Sequence, residues 1–138
     1  MSPPRAISSK QRKAIVRCKD FALSMPGAWE DHPWGDTVVK VGKKVFVFMG
    51  VDGEDTVGAS VKLPDSRDQA LSMAGTEPTG YGLGRAGWIS ATFGPGDEVP
   101  VDILCDWIEE SYRAIAPKKL VAELEGRTAP DNVRRQHS

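Results

Sequence analysis

Two histidines are the only imidazoles this chain offers for acid–base work, and one of them, His137, is the penultimate residue. The other, His32, stands in Trp29-Glu30-Asp31-His32-Pro33-Trp34. Paired with Asp31 or Asp36 it has the parts of an acid/base couple, but nothing else completes a catalytic set. There is no G-x-S-x-G elbow to present a nucleophile. His32 therefore reads as a residue of a rigid Pro/Trp turn, and the chain as a non-enzyme. Gly82-Leu83-Gly84-Arg85-Ala86-Gly87 spells G-x-G-x-x-G, yet a dinucleotide site needs that turn after a strand and opening a helix. Here a loop precedes it and the strand-like Trp88 to Phe93 follows, so no nucleotide cofactor is expected. Asp52, Glu54 and Asp55 offer carboxylates without the spaced ladder and closing glutamate of a calcium loop. Cys18 and Cys105 lie 87 positions apart, far from the close pairing that zinc needs. Each falls on the apolar stripe of a predicted helix and reads as a small buried hydrophobe, with a disulfide open to them only if those helices touch. No metal is expected.

The remaining signal is cationic and aromatic. Lys40, Lys43 and Lys44 crowd a predicted hairpin, Lys62 ends the next strand, and Arg85 precedes Trp88. Cationic hairpin tips with aromatic neighbours suit a wing that grips phosphates and stacks a base. Lysines at hairpin turns also guard against edge-to-edge pairing. Two readings stay open. One is a binder of double-stranded DNA of low sequence specificity, using Lys40, Lys43, Lys44, Lys62, Arg85 and Trp88. The other is a protein- or small-ligand-interaction module, using the Trp29–Trp34 turn and the Gly80–Gly87 loop through Trp34, His32 and Tyr81.

These residues need elements to hold them. The chain has 138 residues and a mass of 15.0 kDa, with 40% apolar and 27% charged residues, the profile of a single globular domain. A formal net charge of −1 and a pI near 6.1 exclude a generally basic coat for nucleic acid, so any such contact has to come from a local basic face. The charge is uneven along the chain: residues 1–50 carry a net +5, residues 51–116 a net −8 and residues 117–138 a net +2. No run of 18 uncharged apolar residues and no signal-peptide core occurs, so a soluble, cytoplasmic protein is expected.

Residues 1–8 read as a loose arm. Ala14, Ile15, Cys18, Phe21, Ala22 and Met25 recur at helical spacing from Ser9, capped by Ser8 or Ser9 and stopped by Pro26-Gly27. The opposite face of that helix is basic. Thr37 to Val41 and Lys44 to Met49 flank Gly42-Lys43 as a two-residue hairpin, with Val45, Val47 and Met49 expected on one face and Phe46 and Phe48 on the other. Val57, Ala59, Val61 and Leu63 alternate as a third strand. A short helix is expected around Arg67 to Ala74, a glycine-rich loop over Gly75 to Gly87, and a strand over Trp88 to Phe93. After Pro100 a helix carries Val101, Leu104, Cys105, Ile108, Tyr112 and Ile115 inward, until Pro117 breaks it. Lys118 to Glu125 adds one or two turns, and the tail from Gly126 is polar. The order predicts an α+β two-layer sandwich over residues 9–125, an antiparallel sheet with helices packed on one face.

Met25-Pro26-Gly27-Ala28-Trp29-Glu30, His32-Pro33-Trp34-Gly35 and Val39-Lys40-Val41-Gly42-Lys43-Lys44-Val45-Phe46 resemble the first half of the YjbR/MmcQ family. Val61-Lys62-Leu63-Pro64, the Gly80-Tyr81 loop leading to Trp88, and Ser111-Tyr112 resemble its second half. The resemblance spans roughly Ala14 to Leu124. It implies a fold similar to that of the bacterial frataxin homologue CyaY and DNA binding through a double wing of hairpins, and it brings no established enzymatic activity. The wings would involve Lys40, Lys43 and Lys44 on one side and Arg85 with Trp88 on the other. Relatives often carry an Asn-Lys-Lys-His-type cluster before the tryptophan, where this chain has Gly84-Arg85-Ala86-Gly87, so that wing has lost most of its charge. Iron is not implied, because frataxin-type binding uses an acidic first helix and this one is basic.

Overall fold

Ser8 opens helix α1 (Ser9–Leu23) with a reciprocal cap. Its hydroxyl accepts the Gln11 N–H at 3.1 Å while Gln11 Oε1 accepts the Ser8 N–H at 2.9 Å. The rest of the Gln11 amide is spent across the fold, where Nε2 donates to the carbonyls of Gly94 and Asp97 at 2.7 and 2.8 Å. A buried polar side chain with its donors and acceptor all used is stabilising rather than costly. Ile7, just ahead of the cap, is already in the core, so the packed domain starts before Ser9.

The computed structural model describes residues 6–33, 37–52, 56–80 and 83–128. After α1 come β1 (Ala28–Asp31), β2 (Thr37–Val41), β3 (Lys44–Asp52), β4 (Thr56–Lys62), α2 (Arg67–Leu71), β5 (Thr76–Pro78), β6 (Trp88–Phe93), α3 (Val101–Ile115) and α4 (Lys118–Thr128). The strands form one six-stranded antiparallel sheet in the order β1-β2-β3-β4-β6-β5. Helices α1 and α3 pack on one of its faces over Val39, Val47, Val61, Ile89 and their neighbours. The fold is the expected α+β one, with two strands that the sequence reading placed in a turn and a loop. Both, β1 and β5, are short edge strands without an apolar alternation to betray them, and Pro78 sits where an edge tolerates it. The short helix α2 ends at Leu71 rather than Ala74, and α4 runs on to Thr128.

The alternation expected in β3 is broken. Val39 pairs with Val47 but Lys40 pairs with Val45, which leaves Phe46 as the extra residue of a β-bulge. The bulge turns Phe46 to the helix side, where its ring meets Tyr112 edge-on at 5.2 Å. Phe48 faces the other side and meets Trp88 at 5.5 Å. The two phenylalanines thus lie on opposite faces of the sheet. Ser111, fully buried on α3, secures the bulge by donating its hydroxyl to the Phe46 carbonyl at 2.5 Å and accepting the Lys62 N–H at 2.9 Å. Tyr112 donates to the Pro26 carbonyl at 2.6 Å. α3 is therefore bolted to β3, β4 and the start of β1 by two consecutive residues. Beyond Pro117, α4 folds back beside that same start. Leu120 Cδ1 lies 3.1 Å from where a Gly27 β-carbon would stand, and Leu124 is buried.

Candidate nucleic-acid interface

Antiparallel register decides which cations meet. The β2–β3 tip carries Lys43 and Lys44 beside Gly42, whose φ of +62° is what the first loop position of such a tight turn requires. Val47 pairs with Val61, so β4 finishes at the tip end of the sheet with Lys62. Lys62 in turn pairs with Trp88, so β6 begins there, directly after the 3-10 turn Leu83–Ala86 that bears Arg85. Four cations drawn from three separate stretches of sequence thus share one end of the sheet, across neighbouring strands that span on the order of 10 Å. Among the described residues, no ion pair engages Lys43, Lys44, Lys62 or Arg85. Lys43, Lys44 and Arg85 are exposed, and Lys62 is half-buried. Among the described residues, the carboxylates near this end are Asp65, exposed in the turn after Lys62, Glu77, exposed on β5 opposite Ser90, and Glu110, which is occupied in accepting the Asp65 and Ser66 N–H groups and the Ser66 hydroxyl.

Lys118 and Lys119 join them. Both are exposed on the first turn of α4, which Leu120 anchors against Gly27 at the start of β1, and Ala28 pairs with Val41 beside the hairpin tip. In sequence these two lysines read only as part of a helix. Their signal was the Lys-Lys pair directly after the Pro117 break, and it points to a surface only once α4 is known to fold back.

Two residues expected in the grip are placed otherwise. Lys40 lies on the open face of the sheet with Nζ 2.7 Å from Asp31 Oδ2 and 5.1 Å from the Trp29 ring centroid, so its charge is already answered within the protein. Trp88 is 7% exposed and presents no free face on which a base could stack, because Phe48 and the strand neighbours cover it. The small Ser60 of β4 stands between the two strands and lets those rings meet. Its hydroxyl pairs with Ser90 at 2.6 Å, which pairs with Thr79 at 3.0 Å.

The Lys40 hydrogen bond, with the His32 N–H second, holds the Asp31 carboxyl below its ordinary value of 3.8. A depressed folded-state value means a contribution to stability that is present above the unfolded value and lost as pH falls through the folded one. Following the Asp31 carboxyl carbon by NMR should show a midpoint below 3.8. Lys40→Met should move that midpoint upward, and an unmoved midpoint would mean that the pair does not form in solution.

The basic face of α1 does not contribute to this end. Lys10, Arg12, Lys13 and Arg17 are exposed on the helical layer, which covers the face of the sheet opposite Lys40 and Lys62, and Lys19 is paired with Glu30 at 3.3 Å. His32 has a side chain 56% exposed, with Nε2 3.0 Å from Glu30 Oε2 and Nδ1 3.4 Å from Thr37 Oγ1. Trp34 and Tyr81 lie outside the described residues. Trp29 is 42% exposed and donates its indole N–H to the Gly42 carbonyl at 3.0 Å. A groove of about 240 Å³ between α2 and α3, lined by Met73, Ile103, Trp107 and Glu110 among others, contains none of the expected site residues. Among the described residues no three His, Cys, Asp or Glu side chains gather to hold a metal, and no helix is long and apolar enough to cross a membrane.

Comparison with known proteins places this arrangement. No curated protein matches the chain in sequence. A crystal structure of a protein from Pseudomonas syringae superposes with a TM-score of 0.51 at 18% identity, covering 75% of this chain and 97% of its own, a likeness of fold. The family model described as YjbR matches residues 23–114, two thirds of the sequence, from the end of α1 almost to the end of α3. The chain belongs to the YjbR family.

Proposed function

We propose that this protein binds double-stranded DNA, with low sequence specificity, through the basic end of its sheet. The observation that carries the reading is the convergence of Lys43, Lys44, Lys62 and Arg85 on one edge with no ion pair among the described residues. Cations that are not neutralised by their own protein remain available for phosphates, and phosphate contacts supply affinity without reading sequence. Lys118 and Lys119 extend the same edge. The chain acts as a binder rather than a catalyst, and the buried Trp88 limits it to gripping the backbone. A net charge near zero leaves this local patch to supply the attraction.

Fluorescence polarisation of a labelled duplex over a series of salt concentrations tests the reading. Four to six phosphate contacts predict that log K falls against log salt with a slope of about −3.5 to −5.5, at roughly 0.9 per contact. Absence of binding in 50 mM salt would overturn it. A second reading, a protein-interaction module, is favoured by one observation, the exposed ring of Trp29. An exposed aromatic is a common anchor for a partner. Trp29→Ala should leave the salt slope intact if DNA is the ligand.

A further inference from the structure

Cys18 and Cys105 lie in the seam between α1 and α3, away from the basic end, and serve no part of the binding reading. The two helices pack directly on one another, with Cys18 in the core cluster and Cys105 packed against it, and each thiol shifts the ionisation of the other. Cys18 is wholly buried in the core, whereas Cys105 is only partly covered. One thiol is thus within reach of a small solute, and the second waits behind it.

We propose that Cys18 and Cys105 form a reversible disulfide that staples α1 to α3 when the protein meets a hydroperoxide. Cys105 Sγ, as its thiolate, attacks the outer peroxide oxygen; the O–O bond breaks, hydroxide leaves from hydrogen peroxide or alkoxide from an alkyl hydroperoxide, and Cys105 becomes a sulfenic acid. Cys18 Sγ then attacks the Cys105 sulfur, the S–S bond forms, the S–O bond breaks, and the oxygen departs as water with the Cys18 proton. Two thiols have lost two electrons and two protons, and the hydroperoxide has been reduced to water, or to an alcohol and water. A thiol reductant reverses the exchange.

The surroundings set the pace. Burial pushes the Cys18 thiol up to about 12, and burial with nearby Asp102 and Asp106 raises Cys105, opposed by the neighbouring Cys18 thiol and by Arg17. The thiolate is the reactive form, so oxidation is slow near neutrality and accelerates as pH rises. The bond closes a span of 87 positions, long enough for a large loss of unfolded-chain entropy.

The test treats the full chain with hydrogen peroxide at pH 8.5, denatures it, and alkylates with N-ethylmaleimide before intact-mass measurement. The expected product is monomeric, lighter by two hydrogens, inert to alkylation, restored by dithiothreitol, and melts roughly 10 °C higher. Cys105→Ser should show neither the mass change nor the melting shift, and Cys18→Ala provides the same control from the other side. Two freely alkylated thiols after treatment would overturn the proposal. So would oxygen added to Cys105 while Cys18 stays alkylatable, or a disulfide between two chains.

Discussion

Lys43→Glu with Lys44→Glu is expected to weaken binding of duplex DNA by on the order of tenfold to a hundredfold at low salt, and to flatten the salt slope by about 1.8. Two contacts vanish from the hairpin tip and two repulsions replace them. Both side chains are exposed and neither has an ion pair among the described residues, so stability should stay within about 0.5 kcal/mol of the parent. The informative control is Lys10→Glu with Lys13→Glu, which makes the same change of net charge on the helical layer. If the basic end is the interface, that variant keeps its affinity within about twofold. Equal losses in the two variants would show that net charge, not the sheet end, governs binding.

Ser111→Ala should be the most damaging single truncation for its size. The hydroxyl is fully buried and completes two backbone groups, the Phe46 carbonyl of the bulge and the Lys62 N–H. Alanine fills nearly the same volume but leaves both groups unpaired in the dry seam between sheet and helix, a loss of roughly 2 to 5 kcal/mol. Urea unfolding should show a midpoint shifted down at unchanged slope. A loss below about 1 kcal/mol would mean that water or a relaxed bulge satisfies these groups. Because Ser111 also holds the end of β4, surviving folded protein should bind DNA less well than its stability alone suggests.

The helices were legible because their physics is local. The Ser8–Gln11 cap, the apolar spacing of Ile15, Cys18 and Ala22, and the Pro100 and Pro117 boundaries are all written within a few residues of the structure they specify. The central strands announced themselves by alternation, as in Val57, Ala59 and Val61. The bulge did not, since a period of two carries no mark for an inserted residue. What fixes Phe46 is Ser111, 65 positions away.

The same division holds for the interface. Lys43, Lys44, Lys62 and Arg85 were singled out as cations at strand ends, and antiparallel pairing brings such ends together. Lys40 looked identical in sequence, but its partner Asp31 belongs to β1, an edge strand without alternation, so the neutralising contact was invisible. Trp88 reads in sequence as the aromatic beside Arg85 on the second wing. Its burial depends on Phe48, reached across the small Ser60 of an intervening strand. Whether the two cysteines meet likewise depended on the packing of helices from opposite ends of the chain.

An amide-detected NMR titration of the labelled protein with a short unlabelled duplex tests the central claim most directly. Shifts concentrated at residues 42–44, 62, 85 and 118–119, fading as salt is added, are the predicted result. Shifts centred on α1 or on the α2–α3 groove, or none at millimolar duplex, would contradict it.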